Sequence, residues 1–207
     1  MKTWRHIVWD MGGTLFDTYP SVDRTLQEVC QSRGCSVELA EVSKLTRVSI
    51  AAACAELARR CTIAVEVFTE AYADLKNRWR TVPPPVMPGA REVLAETKRR
   101  GGLNLVVTHR DRRSAQDLLC ARKIAVDDLI CAPDGHPRKP DPAMHRLALD
   151  RYGLDPAHCL AVGDRVIDAV AASQAGMVAM LLVTPGLVLD SGDPNVTAVI
   201  EDLRQLL

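Results

Sequence analysis

The sequence predicts an α/β fold in which a doubly wound parallel sheet carries a small, all-helical insertion after its first strand. Three patterns predict it. From residue 103 onward, short apolar runs alternate with helical patterns, which is typical of a parallel sheet with helices on both faces. Another apolar run ends at Trp9, directly before Asp10. Between residues 17 and 81, apolar residues recur at i, i+3 and i+4 spacing, which favours helices alone.

The expected elements divide the chain into two regions. Strands are expected at residues 5–9, 103–108, 128–132, 159–163 and 178–183. Helices beside the sheet are expected at residues 90–100, 111–122, 141–152, 167–175 and 197–206. Helices of the insertion are expected at residues 22–33, 39–46, 50–60 and 65–80. We therefore predict a core of residues 1–15 and 84–207, and a helical domain of residues 16–83 that returns to the sheet through three stiff prolines.

Composition excludes several classes of protein. With 207 residues, of which 47% are hydrophobic, the chain is globular rather than disordered. Lysine and arginine number 26, as do aspartate and glutamate, so no basic excess favours nucleic acid or an anionic membrane as partner. The longest apolar run, residues 177–183, is the length of a strand, and the start has too few apolar residues for a signal peptide. We expect a cytoplasmic protein.

The seven cysteines stand singly, without a Cys-x-x-Cys pair. Because their number is odd and their spacing irregular, neither a zinc ribbon nor a complete disulfide framework fits. We expect most of them to be small core residues in a reducing cytosol.

Polar residues follow the ends of the expected strands. Asp10 ends the first strand and is followed by Gly12, Gly13 and Thr14, a loop whose backbone N–H groups can surround an anion. Thr108 ends the second strand. Because ligands of doubly wound sheets bind beyond the carboxyl ends of the strands, these residues are expected to form one site.

Two further motifs extend the same site. Lys139 stands in Lys-Pro-Asp-Pro, where the prolines restrict its direction. Asp164 and Asp168 lie four residues apart where a strand passes into a helix, so both can face one hard cation such as Mg²⁺. Taken alone, each of these residues could be an ordinary surface or capping residue, and their common order along the chain favours the functional interpretation.

The four motifs, in this order, resemble those of the haloacid dehalogenase (HAD) superfamily of phosphohydrolases, in particular phosphoglycolate-phosphatase-like members with a small helical cap. The resemblance spans nearly the whole chain. It implies a Rossmann-like core, a cap that covers the site, Mg²⁺ as cofactor and a small phosphorylated metabolite as substrate, with a monomer or homodimer as the assembly. Arg47 of the cap could clamp a carboxylate or second phosphate, although a solvated helix residue is the simpler expectation.

The resemblance also implies a role for each motif residue. The expected catalytic residues are Asp10, the nucleophile that forms an aspartyl-phosphate, with Thr108 and Lys139. The expected metal ligands are Asp10, the carbonyl of Gly12, Asp164 and Asp168. The expected phosphate-binding residues are Gly12, Gly13, Thr14, Thr108, His109 and Lys139, with an exposed loop position as the alternative for His109.

Gly12 departs from the family pattern, since the first motif there usually carries a second Asp at this position. In phosphatase relatives that Asp protonates the leaving oxygen and later activates water. The departure leaves three alternatives: a slow phosphatase or one suited to good leaving groups, in which Asp17, His109 or a cap residue could substitute; a phospholigand-binding or regulatory protein; and, less favoured, a phosphonate-cleaving enzyme.

Overall fold

The computed structural model describes residues 4–184 and 192–207. The expected core also included residues 1–3 and 185–191, which lie outside these ranges. The described residues form two compact units. One comprises residues 4–17, 85–184 and 192–207, and the other comprises residues 18–84. None of the described helices is both long and apolar enough to cross a membrane.

The first unit contains a six-stranded, entirely parallel sheet. Its strands are β1 (His6–Trp9), β2 (Asn104–Thr108), β3 (Asp128–Cys131), β4 (Cys159–Gly163), β5 (Val178–Leu182) and β6 (Ala198–Ile200). Their order in the sheet is β3-β2-β1-β4-β5-β6. The order reverses at β1, which is the doubly wound arrangement. The expected α/β, Rossmann-like fold is confirmed.

Eight α-helices accompany the strands within the described residues: α1 (Tyr19–Ser32), α2 (Leu39–Val48), α3 (Ile50–Cys61), α4 (Val65–Arg78), α5 (Ala90–Arg99), α6 (Arg112–Ala121), α7 (Ala143–Tyr152) and α8 (Val166–Gln174). Helices α7 and α8 pack an apolar face against the sheet, where Met144, Ala148, Ala169 and Ala172 are completely buried. This core includes residues of β1, β2 and β4, the strands that the motif loops follow, so those loops begin from a packed base.

The prediction of a last helix at residues 197–206 is wrong. This segment forms the strand β6 followed by a short 3-10 helix, Leu203–Leu206. The β-branched residues Val199 and Ile200 pair with Leu181 and Leu182 of β5. Pairing along an open strand edge buries their side chains more effectively than one further surface helix would, and β-branched residues favour strands.

The strand β3 lies at one edge of the sheet. Arg112 of α6 donates a hydrogen bond to the carbonyl of Leu129 in this strand, at 2.9 Å, and pairs with Asp134. A side chain from the neighbouring helix therefore occupies one backbone acceptor of the edge strand.

The second unit, residues 18–84, contains α1 to α4 and a buried polar cluster. Asp23 accepts hydrogen bonds from Ser43 Oγ, Thr46 Oγ1 and an Arg47 guanidinium nitrogen, each at 2.6 Å. The guanidinium carbon of Arg47 also lies 4.0 Å from the centre of the Tyr19 ring. The expectation that Arg47 is a solvated helix residue is therefore wrong: it is 6% exposed, because Asp23 neutralises it inside the unit.

The same unit contains a disulfide bond that the sequence analysis did not predict, between Cys35 and Cys61. It joins the segment after α1 to the end of α3. A separation of 26 residues between two single cysteines carries no pairing signal. Four of the remaining cysteines are buried as expected, namely Cys30, Cys54, Cys131 and Cys159, while Cys120 is exposed.

Candidate active site

Two buried carboxylates lie where the strand order reverses. Asp10 follows β1, and its backbone N–H donates to the carbonyl of Val162 in β4 at 2.8 Å. Asp164 directly follows β4. Asp10 is 6% exposed and Asp164 is completely buried. Because β1 and β4 are neighbouring parallel strands, about 4.8 Å apart, both acids lie at the same edge of the sheet.

The amine of Lys139 joins three segments at this edge. Its Nζ donates a hydrogen bond to Asp10 Oδ1 at 2.5 Å and lies 2.5 Å from Asp168 Oδ1. It also donates to the carbonyl of Val107 in β2, at 3.2 Å. The lysine side chain is 1% exposed. A residue far along the chain from either acid is thus fixed between both carboxylates.

Asp168 is held by contacts on both of its oxygens. Oδ1 faces Lys139, and Oδ2 accepts a hydrogen bond from the backbone N–H of Arg165 at 3.1 Å, at the start of α8. A Cβ atom on Gly163 would lie 2.4 Å from the Cβ atom of Asp168. The glycine of the Gly-Asp-x-x-x-Asp motif therefore makes room for the second acid.

The loop after Asp10 is a tight turn. Gly13 has a φ of 87°, and its N–H donates to the carbonyl of Phe16 at 2.8 Å. This N–H is therefore engaged within the turn and not open to an anion. Thr14 is completely buried, and its hydroxyl makes no hydrogen bond to any residue that the structure describes. Gly12 does not have a positive φ, so its backbone does not require glycine.

Thr108 and His109 occupy the end of β2. The Thr108 hydroxyl accepts a hydrogen bond from the N–H of Arg110 at 3.2 Å. Asp111 caps α6 by accepting from the N–H of Ser114 at 2.9 Å, so Thr108 is not needed as the cap. His109 Nε2 accepts a hydrogen bond from the backbone N–H of Lys139 at 2.7 Å.

The charges of the site are uneven. The three carboxylates of Asp10, Asp164 and Asp168 face two cations, Lys139 and Arg165, whose Nε lies 4.0 Å from Asp164 Oδ1. This leaves an excess of one negative charge when all are ionised. Burial raises the pKa of Asp10; the charge of Lys139 opposes this, and the negative charge of Asp168 adds to it. Burial disfavours the charged forms of Lys139 and Asp168 too, but their attraction outweighs it, so the pKa of Lys139 is raised and that of Asp168 lowered.

The donors present fit a hard divalent cation. The carboxylates of Asp10 and Asp164 and the backbone carbonyl of Gly12 are oxygen ligands at one sheet edge, and the local negative excess favours a cation. No group of three or more histidine, cysteine, aspartate or glutamate side chains suited to a metal occurs in residues 4–184 and 192–207.

Two residues near the site were not identified from the sequence. His145 of α7 is 3% exposed, and its Nδ1 makes no hydrogen bond within the described part of the chain. Burial, with a smaller effect of the Lys139 charge, lowers the pKa of His145 to about 3. Arg165 follows Asp164 directly, so its adjacency to the motif was the available signal. For His145 there was no such signal, because the sequence around it shows only the pattern of an amphipathic helix.

Comparisons with known proteins show the family of the chain. Residues 4–176 match the family described as haloacid dehalogenase-like hydrolase. The phosphoglycolate phosphatase of Xanthomonas campestris pv. campestris (strain 8004) is 30% identical over 191 residues, which cover 86% of this chain and 82% of the relative. The N-acetylmuramic acid 6-phosphate phosphatase of Pseudomonas putida is 28% identical over 179 residues, covering 83% of this chain and 79% of that protein.

A solved structure shares the fold. A predicted phosphoglycolate phosphatase from Haemophilus somnus superimposes with a TM-score of 0.83 at 19% identity, covering 100% of this chain and 97% of that one. The sheet order, the arrangement of Asp10, Lys139 and Asp164, and the family match together lead to one conclusion: the chain belongs to the haloacid dehalogenase-like hydrolases and is a phosphatase-type hydrolase.

Proposed function

We propose that the protein is a Mg²⁺-dependent phosphatase that acts on a small phosphorylated metabolite through an aspartyl-phosphate on Asp10. The observation that carries this proposal is the placement of Lys139 Nζ against both Asp10 and Asp168 at the strand reversal. That the helical domain corresponds to the family's cap is part of the same proposal.

Asp10 is the proposed nucleophile. One of its oxygens attacks phosphorus, the bond from phosphorus to the leaving oxygen breaks, and the leaving group takes the electron pair. Water then attacks phosphorus, which releases phosphate and restores the carboxylate. Lys139 neutralises charge on the transferring phosphoryl oxygens, and the hydroxyls of Thr14 and Thr108 and the Nδ1–H of His109 are available to hydrogen-bond them.

Asp10, Asp164 and the carbonyl of Gly12 would hold Mg²⁺. When bound, the ion supplies further neutralisation of the phosphoryl oxygens. We assign Asp168 to orienting Lys139, because both of its oxygens already have partners within the fold. Asp164→Asn should therefore raise the Mg²⁺ concentration that gives half-maximal activity, whereas Asp168→Asn should lower the maximal rate with a smaller change in that concentration.

Gly12 determines which substrates suit the site. Without a carboxyl at position 12, the leaving oxygen lacks the family's usual proton donor, and loss of such a group typically costs about 10² to 10⁴ in rate. Leaving groups that are stable as anions need no proton, so acyl phosphates should lose least. Because a relative is named phosphoglycolate phosphatase, phosphoglycolate is one of the monoesters to be assayed alongside the acyl phosphates.

The experiment measures Mg²⁺-dependent phosphate release from acetyl phosphate, phosphoglycolate and a simple alkyl phosphate. Asp10→Asn should abolish release from all three. Gly12→Asp should raise turnover of the two monoesters more than that of acetyl phosphate, and the φ of Gly12 allows this residue. Equal effects of Gly12→Asp on all three substrates would contradict the assigned role of position 12.

A second candidate follows from the same glycine. A protein without the acid–base group could bind a phosphorylated ligand without turnover. This candidate is favoured if the wild type releases no phosphate from any substrate while a phosphorylated ligand still binds in the presence of Mg²⁺. A metal-dependent rate that Asp10→Asn abolishes would exclude it.

A further inference from the structure

The hydrogen bond between His109 and Lys139 connects two loops of the site. The backbone N–H of Lys139 donates to His109 Nε2 at 2.7 Å, across 30 residues of sequence. His109 lies directly after β2, and Lys139 lies between β3 and α7. The bond therefore ties the loop that carries Thr108 to the loop that carries the lysine.

This bond fixes where His109 carries its proton. A backbone N–H can only donate, so Nε2 must present a lone pair. The single ring proton then resides on Nδ1, and the ring is neutral. Burial, together with the positive charges of Lys139, Arg138 and Arg165 and against the opposing charge of Asp168, lowers the pKa of His109 to about 3. The electrostatics thus favour the same neutral form that the hydrogen bond requires.

The bond also completes the fixation of Lys139. The far end of its side chain is held by Asp10, Asp168 and the carbonyl of Val107. A long, flexible side chain reaches a fixed point reliably only when its backbone is also fixed. His109 supplies that second anchor, because it holds the backbone nitrogen from which the side chain extends.

We propose that His109 is a positioning residue for Lys139 and does not replace the acid–base group absent at Gly12. The proposal rests on the assignment of Lys139 to the phosphoryl-transfer site. A ring whose Nε2 accepts a backbone hydrogen bond has no free lone pair to activate water. Its Nδ1–H would have to leave a neutral ring to protonate a leaving group, which imidazole does not do near neutral pH.

The first test reads the proton position directly and requires no activity. Proton–nitrogen correlation spectra of the nitrogen-labelled, metal-free protein distinguish a protonated from an unprotonated ring nitrogen. The peaks of His109 are identified by their disappearance in His109→Gln. We expect Nε2 unprotonated and Nδ1 protonated from about pH 5 to about pH 8, around the ordinary histidine pKa. A protonated Nε2 at any point in that range would overturn the proposal.

The second test compares matched variants. In His109→Gln, the amide oxygen reaches about as far as Nε2 and can accept the Lys139 N–H, whereas His109→Leu offers no acceptor. Since small misplacements of a catalytic group cost about a hundredfold, kcat should fall by about that factor in His109→Leu and by clearly less in His109→Gln. KM should rise no more in His109→Gln than in His109→Leu, because the glutamine amide keeps an N–H donor and leucine has none.

The outcomes separate this proposal from the proposed function. Equal losses of kcat in the two variants would contradict the positioning role. If the wild type shows no turnover at all, the proposed phosphatase activity fails, while the spectra still decide the state of His109. The pH profile of kcat gives a further outcome. If kcat of the wild type depends on a group that titrates near pH 6.5 and this dependence disappears in His109→Gln, then His109 acts as an acid or base and the proposal is overturned.

Discussion

The buried His145 makes the stability of the protein sensitive to acid. In the native state the pKa of this imidazole is lowered from 6.5 to about 3 by burial and the nearby Lys139 charge. In the unfolded chain it has its ordinary value. Between these two values the unfolded state binds more protons than the native state, so the free energy of unfolding falls as the pH falls below about 6.5.

The magnitude follows from the unfolded state, because the native histidine stays neutral until much lower pH. Lowering the pH from about 7 to about 5 should cost about 2 kcal/mol for one such histidine. His145→Leu removes this contribution. Other titrating groups affect the wild type and the variant equally. Between about pH 7 and about pH 5, the free energy of unfolding should therefore fall by about 2 kcal/mol less in the variant than in the wild type.

Urea unfolding followed by tryptophan fluorescence measures this difference, since Trp4, Trp9 and Trp79 are buried. His158 is a matched control because its side chain is 61% exposed. His158→Leu should leave the pH dependence as in the wild type. If wild type and His145→Leu lose equal free energy of unfolding between the two pH values, the buried neutral histidine is not responsible and the reasoning fails.

Three further substitutions test contacts described above. Lys139→Met should lower Mg²⁺-dependent phosphate release by about 10² to 10³, and a rate within twofold of the wild type would contradict its role. Asp23→Ala should cost about 3 to 5 kcal/mol in the free energy of unfolding, because a buried arginine loses its carboxylate, whereas Glu56→Ala, in an exposed pair, should cost far less. Gly163→Ala should destabilise by about 1 to 3 kcal/mol in thermal unfolding, since the new methyl group meets Asp168 at 2.4 Å; an unchanged melting temperature would show that the helix start can move.

The sheet and the positions of the motif acids could be predicted from the sequence. Apolar runs fix which residues end the strands, and parallel strands bring their carboxyl ends to one edge. Asp10, Thr108 and Asp164 therefore could be placed at a common edge without coordinates. The strand β6 could not, because three residues give too short a pattern to distinguish a strand from the start of a helix.

Pairings between distant side chains could not be predicted in the same way. Lys139 contacts Asp168 as well as Asp10, and Arg47 finds its carboxylate on Asp23. Periodicity indicates which face of a helix is apolar. A charged residue on that face only interrupts the pattern, and the sequence does not indicate with which distant residue it pairs. The same limit applies to His145, whose polar ring interrupts a buried helix face.

The contact of Arg112 with the edge strand has a consequence for self-association. An exposed strand edge invites a strand of another molecule to extend the sheet, which is a common beginning of aggregation. The guanidinium on the Leu129 carbonyl removes one acceptor from that edge, and its ion pair with Asp134 holds it there. Arg112 therefore leaves one position fewer on this edge through which a strand of a second molecule could pair with β3.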